Sequence, residues 1–484
     1  MLFSEPIFLF LFLPFLLAGI PLCSHHHQNY LLAAASLLFY AWDEPSHALI
    51  LIGSITFNYG AGLVISKAAG ALRRRTYLIL GIMANLGVLA WFKYADFLVE
   101  NLNLFFNLIG LSALAAPASS LPLGISFFTF QAISYLFDVF RRRTPAQTNL
   151  IDLTLYVALF PQLIAGPIVR YGEFAWQILN RRITRRGTTI GIRRFVRGLA
   201  KKLLIANTLA VPADAIFALA PSDLTAPIAW LGVLCYTLQI YFDFSGYSDM
   251  AIGLGRMFGF KIPENFRHPY TATSITGFWR RWHMSLSRWF RDYLYIPLGG
   301  NRTSPNRTYL NLTIVFLFCG LWHGASWTFV LWGMVHGAAL IFERMGLGAT
   351  LARSPRLIGW IYTMLLIVIS WVLFRSPSIA HAIGYLIGMA GFAPGSTVYV
   401  EFGDYFRPSV ALAIALGCLF ATPFREWCRA QVGRFIRSAT DRPTGWTRLR
   451  WTHHAMDTAC LVLLLTCCVW VAASTYVPFL YFRF

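Results

Sequence analysis

The chain has 484 residues, 57% of them hydrophobic and only 12% charged, with a mean hydropathy of +0.58. Apolar segments of spanning length, such as Ala48–Ile65, Leu357–Phe374 and Thr458–Ala473, recur from end to end, which leaves no room for a separate soluble domain and predicts one integral domain over residues 1–484. The formal charge of +20 sits in a few loops between apolar runs, as in the cytoplasmic loops of a membrane protein and unlike a nucleic-acid surface; the eight Cys contain no CxxC pair and read as small hydrophobes, not as a disulfide framework or zinc site.

In chain order, Ile7–Leu22 follows acidic Glu5 and lacks a small-residue cleavage site, so it reads as a retained first span. Leu31–Trp42 returns toward Asp43-Glu44-Pro45, an acidic outward turn, and Ala48–Ile65 leads to Lys67 and Arg73-Arg74-Arg75, a cytoplasmic one. Counting back places the N-terminus outside and His25-His26-His27 in a cytoplasmic turn, where three consecutive side chains cannot face one metal. Tyr77–Phe92 goes outward, Phe97–Leu111 reads as interfacial, and Leu121–Phe140 comes in to Arg141-Arg142-Arg143. A full crossing by Ile151–Ile168 would put the ten Lys and Arg from Arg170 to Lys202 outside. Pro161, Gly166 and Pro167 interrupt that run, which predicts a re-entrant segment. Leu203–Ala220 then exits. Ala226–Tyr241 re-enters and ends in Asp243-Phe244-Ser245-Gly246-Tyr247-Ser248-Asp249. Asp243 and Asp249 either support a catalytic group in a wet cavity or pair with nearby Arg.

Lys261–Arg307 carries eight Lys and Arg against Glu264 and Asp292 and is the principal cytoplasmic stretch. Trp279, His283, Leu286 and Phe290 recur there at helical spacing, which predicts an amphipathic helix with His283 on its buried side and Arg281 on another face. The 35 uncharged residues Thr308–Phe342 would make one helix of about 52 Å, beyond a ~30 Å hydrocarbon core yet short of two full spans. A broken or re-entrant pair is expected, with Gly320 and Gly324 as weak points and His323 between them. An ionisable side chain in such a segment points to function, with a polar contact between helices as the bland alternative. Beyond Leu357–Phe374, Ile379–Phe392 fits only as a non-spanning helix. Glu401 and Asp404 face out, Val410–Ala421 returns, Arg425–Arg450 with its seven Arg is cytoplasmic, and Thr458–Ala473 leaves the C-terminus outside. No internal repeat, Walker loop or GxGxxG loop is present.

Residue chemistry thus offers two histidines on a membrane cavity, aromatic walls, and no nucleophilic Ser or Cys motif. Histidine suits general-base work near neutral pH. A membrane acyltransferase and a proton-coupled transporter would both use such a pair, and residue types do not separate them.

Four segments do. Leu121-Pro122-Leu123-Gly124-Ile125-Ser126-Phe127, the Tyr241–Met250 stretch, Phe278-Trp279-Arg280-Arg281-Trp282-His283-Met284-Ser285 and Leu321-Trp322-His323-Gly324-Ala325 resemble, in this order, the bacterial branch of the membrane-bound O-acyltransferase family, alginate O-acetyltransferase type. The resemblance runs from Phe8 to about Phe374, with core motifs over 121–342, and weakens through Ala380–Arg450. It implies an all-α polytopic bundle with re-entrant segments and a central cavity. It implies an acetyltransferase of the bacterial inner membrane that passes acetyl from a cytoplasmic thioester to an extracytoplasmic polysaccharide. His323 matches the family's essential histidine and His283 the second histidine of this branch. Trp322, Arg280, Arg281, Asp243 and Asp249 are carried along as supporting residues. The donor implied is acetyl-coenzyme A or an acyl-carrier thioester, with no resident cofactor or metal. The partners implied are membrane lipid, an extracytoplasmic acetyltransferase and the polymer, with no nucleic acid; alginate, cellulose and peptidoglycan all serve relatives.

Overall fold

The computed structural model describes residues 1–42, 44–117, 120–302, 304–392, 401–440 and 445–473; Asp43, Asp441 and Arg442 of the charge pattern lie outside them. The described chain is helical with no strand. Pro45–Lys67, Ala71–Leu108, Ala226–Met257, Arg356–Arg375 and His454–Ala473 are long and apolar enough to cross a membrane. The first expected span is a shorter helical stretch, Phe8–Leu22, preceded by buried residues of which Phe3 stacks on Tyr247 at 4.7 Å.

Helix α1 (Pro45–Lys67) is followed by α2 (Ala71–Leu108), whose 38 residues would extend about 57 Å. The separate segments Tyr77–Phe92 and Phe97–Leu111 are therefore one helix. Lys93 and Asp96 interrupt the apolar run, but neither residue breaks a helix; what a charged side chain needs in a bundle is a partner, and Lys93 has several.

Helix α3 (Ile125–Phe140) starts after Gly124, which adopts φ +74°, a conformation glycine takes without strain. The following run is broken as expected, into Leu150–Ala158 and Phe160–Leu163, and is buried without interruption from Asp152 to Val169. Its ends meet. A Cβ on Gly172 would stand 3.5 Å from Thr144 and 3.6 Å from Asp138, so the chain returns to the end of α3 from which it left. Its tip reaches the other end, where a Cβ on Gly124 would lie 2.6 Å from the Leu163 carbonyl oxygen. Irregular backbone at this depth is tolerated because protein encloses it. Labelling of a single cysteine placed at exposed position 182, in a background without native Cys, is expected from the cytoplasmic side only; labelling from outside intact cells would overturn this topology.

Helix α4 (Arg185–Ala200) runs through a π-helical turn, Lys201–Ala206, into α5 (Asn207–Phe217), so the expected span starting at Leu203 begins mid-helix. It packs along α6 (Ala226–Met257) through paired glycines. Added Cβ atoms would meet backbone at 2.5 Å (Gly198 to Gly246 O) and 2.6 Å (Gly191 to Gly253 O), and reciprocally at 2.8 and 2.7 Å. No side chain fits there. The span expected to end at Tyr241 continues as helix to Met257, where Lys202, Lys201 and Arg194 on the facing segment balance its carboxylates.

The amphipathic helix expected across Trp279–Phe290 is two short helices, α7 (Ile275–Trp279) and α8 (Met284–Phe290), broken at Arg280–His283. They lie within the bundle: Ile275, Phe278, Trp282, His283 and Leu286 are all buried. Helices α9 (Pro305–His323) and α10 (Trp327–Phe342) form an antiparallel hairpin, and α10 packs on α11 (Arg356–Arg375). The hairpin returns to its starting side, where Glu343 accepts from the Ile275 and Thr276 backbone N–H groups at 2.5 and 2.9 Å. Ile379–Met389, with 11 residues, is too short to span, as expected. Arg141 to the Asp292 carbonyl, Arg170 to Asp292, Arg194 to Glu264 and Arg193 to Asp457 link the basic stretches to one another.

Candidate active site

The central run breaks once, at Gly324. Its extended backbone (φ −167°) any residue could adopt; what requires glycine is the Phe329 ring, 2.2 Å from where a Cβ would stand. Gly320, expected as a second weak point, is helical and serves contact. A Cβ there would lie 2.3 Å from the Phe329 carbonyl oxygen, and one on Gly333 would lie 2.2 Å from that of Phe316. The hairpin therefore closes backbone to backbone and carries His323 at its far tip, the last residue of α9.

There His323 is boxed by Trp322, Trp332 and Phe374, with ring centroids at 4.9, 4.9 and 5.2 Å. With Trp322 and Lys93 it lines a cleft of about 90 Å³ whose other walls are Leu121–Phe127 and Ile164. The cleft thus opens where α3 begins, the end expected to face out. A second, apolar recess of about 180 Å³ runs between α8 and α9 and reaches Cys319, one helical turn before His323. Arg291 and Tyr295 are among its walls, and His283 lines neither opening.

His283 is fully buried in left-handed backbone, φ +41°, a conformation that persists in a non-glycine residue only when its surroundings enforce it. Asn265 does so. Its Oδ1 accepts from the Ser285 N–H at 3.1 Å and Ser285 Oγ at 2.9 Å, its carbonyl accepts from the Met284 N–H at 2.9 Å, and Ser285 Oγ accepts from the Ile168 N–H at 3.0 Å. The re-entrant segment thereby holds the histidine turn. Because Asn265 Oδ1 already accepts from a backbone N–H, the 3.3 Å contact with His283 is donated by Nδ1–H. That leaves Nε2 as the lone pair, buried and without a hydrogen-bond partner among the described residues. Trp322 stands between the two histidines, 5.9 Å from the His283 ring, and stacks on Phe130.

The supporting residues divide. Asp243 pairs with Lys202 at 2.6 Å in near-complete burial, and Asp249 pairs with Lys201 at 2.7 Å and Arg194 at 2.8 Å. The glycine contact between α4 and α6 brings these partners into reach. Neither carboxylate lines the cleft. Arg280 is exposed, and Arg281 donates to Thr271 at 3.3 Å. Three residues near the histidines went unrecognised in the sequence: Lys93, Asn265 and His336. The signal for Lys93 was a charge inside an apolar run. Asn265 carried none. His336 accepts at Nδ1 from Trp279 at 3.3 Å and bonds Ser370 at 3.2 Å through Nε2, so both of its nitrogens are occupied.

Residues 90–381, which contain all of these groups, match the family model MBOAT, membrane-bound O-acyltransferase family. The chain belongs to this family. It is 42% identical to the probable alginate O-acetylase AlgI of Pseudomonas putida over the full length of both chains. It is 50% identical to the corresponding Pseudomonas aeruginosa protein, over 79% of this chain and 73% of that one, and 37% identical to the peptidoglycan O-acetyltransferase of Helicobacter pylori, over 100% and 98%. As a membrane-bound O-acyltransferase it is an enzyme that moves an acyl group to oxygen, and the transporter reading falls.

Proposed function

We propose that this enzyme takes acetyl from a cytoplasmic thioester, acetyl-coenzyme A or an acetylated carrier protein, and delivers it for O-acetylation of alginate or a similar exopolysaccharide outside the bacterial inner membrane. The observation that carries this reading is His323, held at a hairpin tip beside a cleft at the start of α3, the end that the charge pattern is expected to turn outward. Full-length similarity to alginate O-acetylases supports the acceptor class.

His323 acts as the base. It takes the proton of the acceptor hydroxyl, whose oxygen attacks the thioester carbonyl carbon; the C–S bond breaks, and the departing thiolate receives the proton. His283, with Nε2 free and Trp322 between it and His323, orients the thioester or relays that proton. The acceptor is a serine of an extracytoplasmic acetyltransferase partner or the sugar itself. Arg280, exposed, and Arg281 belong to the basic cytoplasmic face that meets lipid headgroups and the donor's phosphates. Asp243 and Asp249 support the site by holding α6 to α4.

Purified protein given labelled acetyl-coenzyme A and acceptor is expected to release free thiol and move label into an oxygen ester. No thiol release with either coenzyme A or carrier-protein donor would reject the proposal. His283→Ala is expected to slow turnover by about 100-fold, the low end for a group that relays a proton; undiminished turnover would make His283 a packing residue and leave the rest standing.

A further inference from the structure

The last four carbonyls of a helix have no donor within it. At the end of α9 each has found one. Gly320 O accepts from the Gly324 N–H at 3.4 Å. Leu321 O accepts from the Tyr94 hydroxyl at 2.6 Å, and Trp322 O and His323 O accept from the Lys93 ammonium at 2.6 and 3.2 Å. Two consecutive residues of α2 therefore cap three consecutive carbonyls of the helix that carries the site histidine.

An ammonium has three donors and no acceptor. The third Lys93 N–H goes to Ser126 Oγ on α3, at 3.3 Å, so no donor remains for a substrate in the cleft. Lys93 forms no ion pair among the described residues. Its charge is matched by the negative end of α9 and by those carbonyls, a setting in which a cation binds more firmly than a neutral donor. A lysine present only to reach water would direct its ammonium outward instead. We infer that Lys93, assisted by Tyr94, is a positioning residue for acyl transfer: it pins the His323 end of α9 to α2 and α3 and so sets where the imidazole stands at the cleft. The backbone-to-backbone contact of the hairpin, at Gly320 and Gly333, lies below this turn; beyond it the ring contacts of His323 and Gly324 leave the last carbonyls to Lys93 and Tyr94, which fix the turn's position against α2 and α3. The inference rests on His323 being the base.

The test is Lys93→Met, which keeps most of the volume and removes all three donors. With the donor thioester varied, kcat is expected to fall by about 100-fold, as for a base displaced by roughly 1 Å, and KM to stay unchanged. Tyr94→Phe is expected to lower kcat about threefold to tenfold, as for one neutral hydrogen bond. In a His323→Ala background Lys93→Met is expected to change nothing further, which a general structural role would not produce. Wild-type kcat in membrane-inserted Lys93→Met, or an added loss in the His323→Ala background, overturns the inference. If Lys93→Met does not accumulate, Tyr94→Phe decides: unchanged kcat overturns the inference, and a kcat loss at constant KM supports it. An active His323→Ala would instead remove the base assignment itself, so the two failures are distinguishable.

Discussion

His323→Ala is expected to insert and fold but to lose acetyl transfer, with a loss of about 10² to 10⁴ in rate from removal of a general base. The prediction follows from the position of the ring, at the tip of a hairpin closed by Gly320, Gly324 and Gly333, boxed by three aromatic rings and open on the cleft. His323→Gln fills the box with a side chain that hydrogen-bonds but does not take a proton at neutral pH, so it is expected to be as inactive as alanine. Polymer acetylation in cells carrying each variant is the measurement. Wild-type acetylation in either one rejects the assignment.

Asp243→Leu is expected to destabilise the protein strongly, because it leaves the Lys202 ammonium buried without its carboxylate; breaking a buried pair from one side costs about 3–5 kcal/mol. Replacing both residues, as Lys202→Met with Asp243→Leu, removes the charges together and is expected to recover most of the loss, along with acetyl transfer. The readouts are the thermal midpoint in detergent and turnover by the same preparation. A single variant that keeps its melting temperature but loses turnover would move Asp243 from scaffold to chemistry. The same logic separates the two readings that the carboxylates allowed in the sequence. Paired burial against Lys202, Lys201 and Arg194, away from the cleft, favours the scaffold.

Much of the architecture was legible because membrane burial acts on composition. Apolar runs with few charges had to become helices, Pro161, Gly166 and Pro167 had to interrupt one of them, and a 35-residue uncharged run had to fold back on itself. His323 stood out in that run by its place between Gly320 and Gly324; His336, equally ionisable and in the same run, carried no such mark. Breaks inside polar stretches were not. Trp279–Phe290 carries helical periodicity, but Asn265, 18 residues before His283, captures the Ser285 N–H and hydroxyl and turns the chain into left-handed backbone.

Charges misled in the opposite sense. Lys93 and Asp96 marked the end of one segment, and Asp243 the end of another, yet both helices continue, because a charge inside a bundle is a question of partners rather than of helix propensity. The partners came from elsewhere in the chain: the end of α9 for Lys93, and Lys202 on the helix facing α6 for Asp243. The sequence by itself determined that the chain is a helical membrane bundle and that its interrupted apolar runs must bend, since each follows from local composition and the cost of unsatisfied backbone in lipid, and it put His323 beside one of those bends. Only the tertiary structure decided how that histidine is held, because the Tyr94 and Lys93 donors lie 227 to 230 residues from the carbonyls they cap, and no local pattern encodes a pairing over that separation.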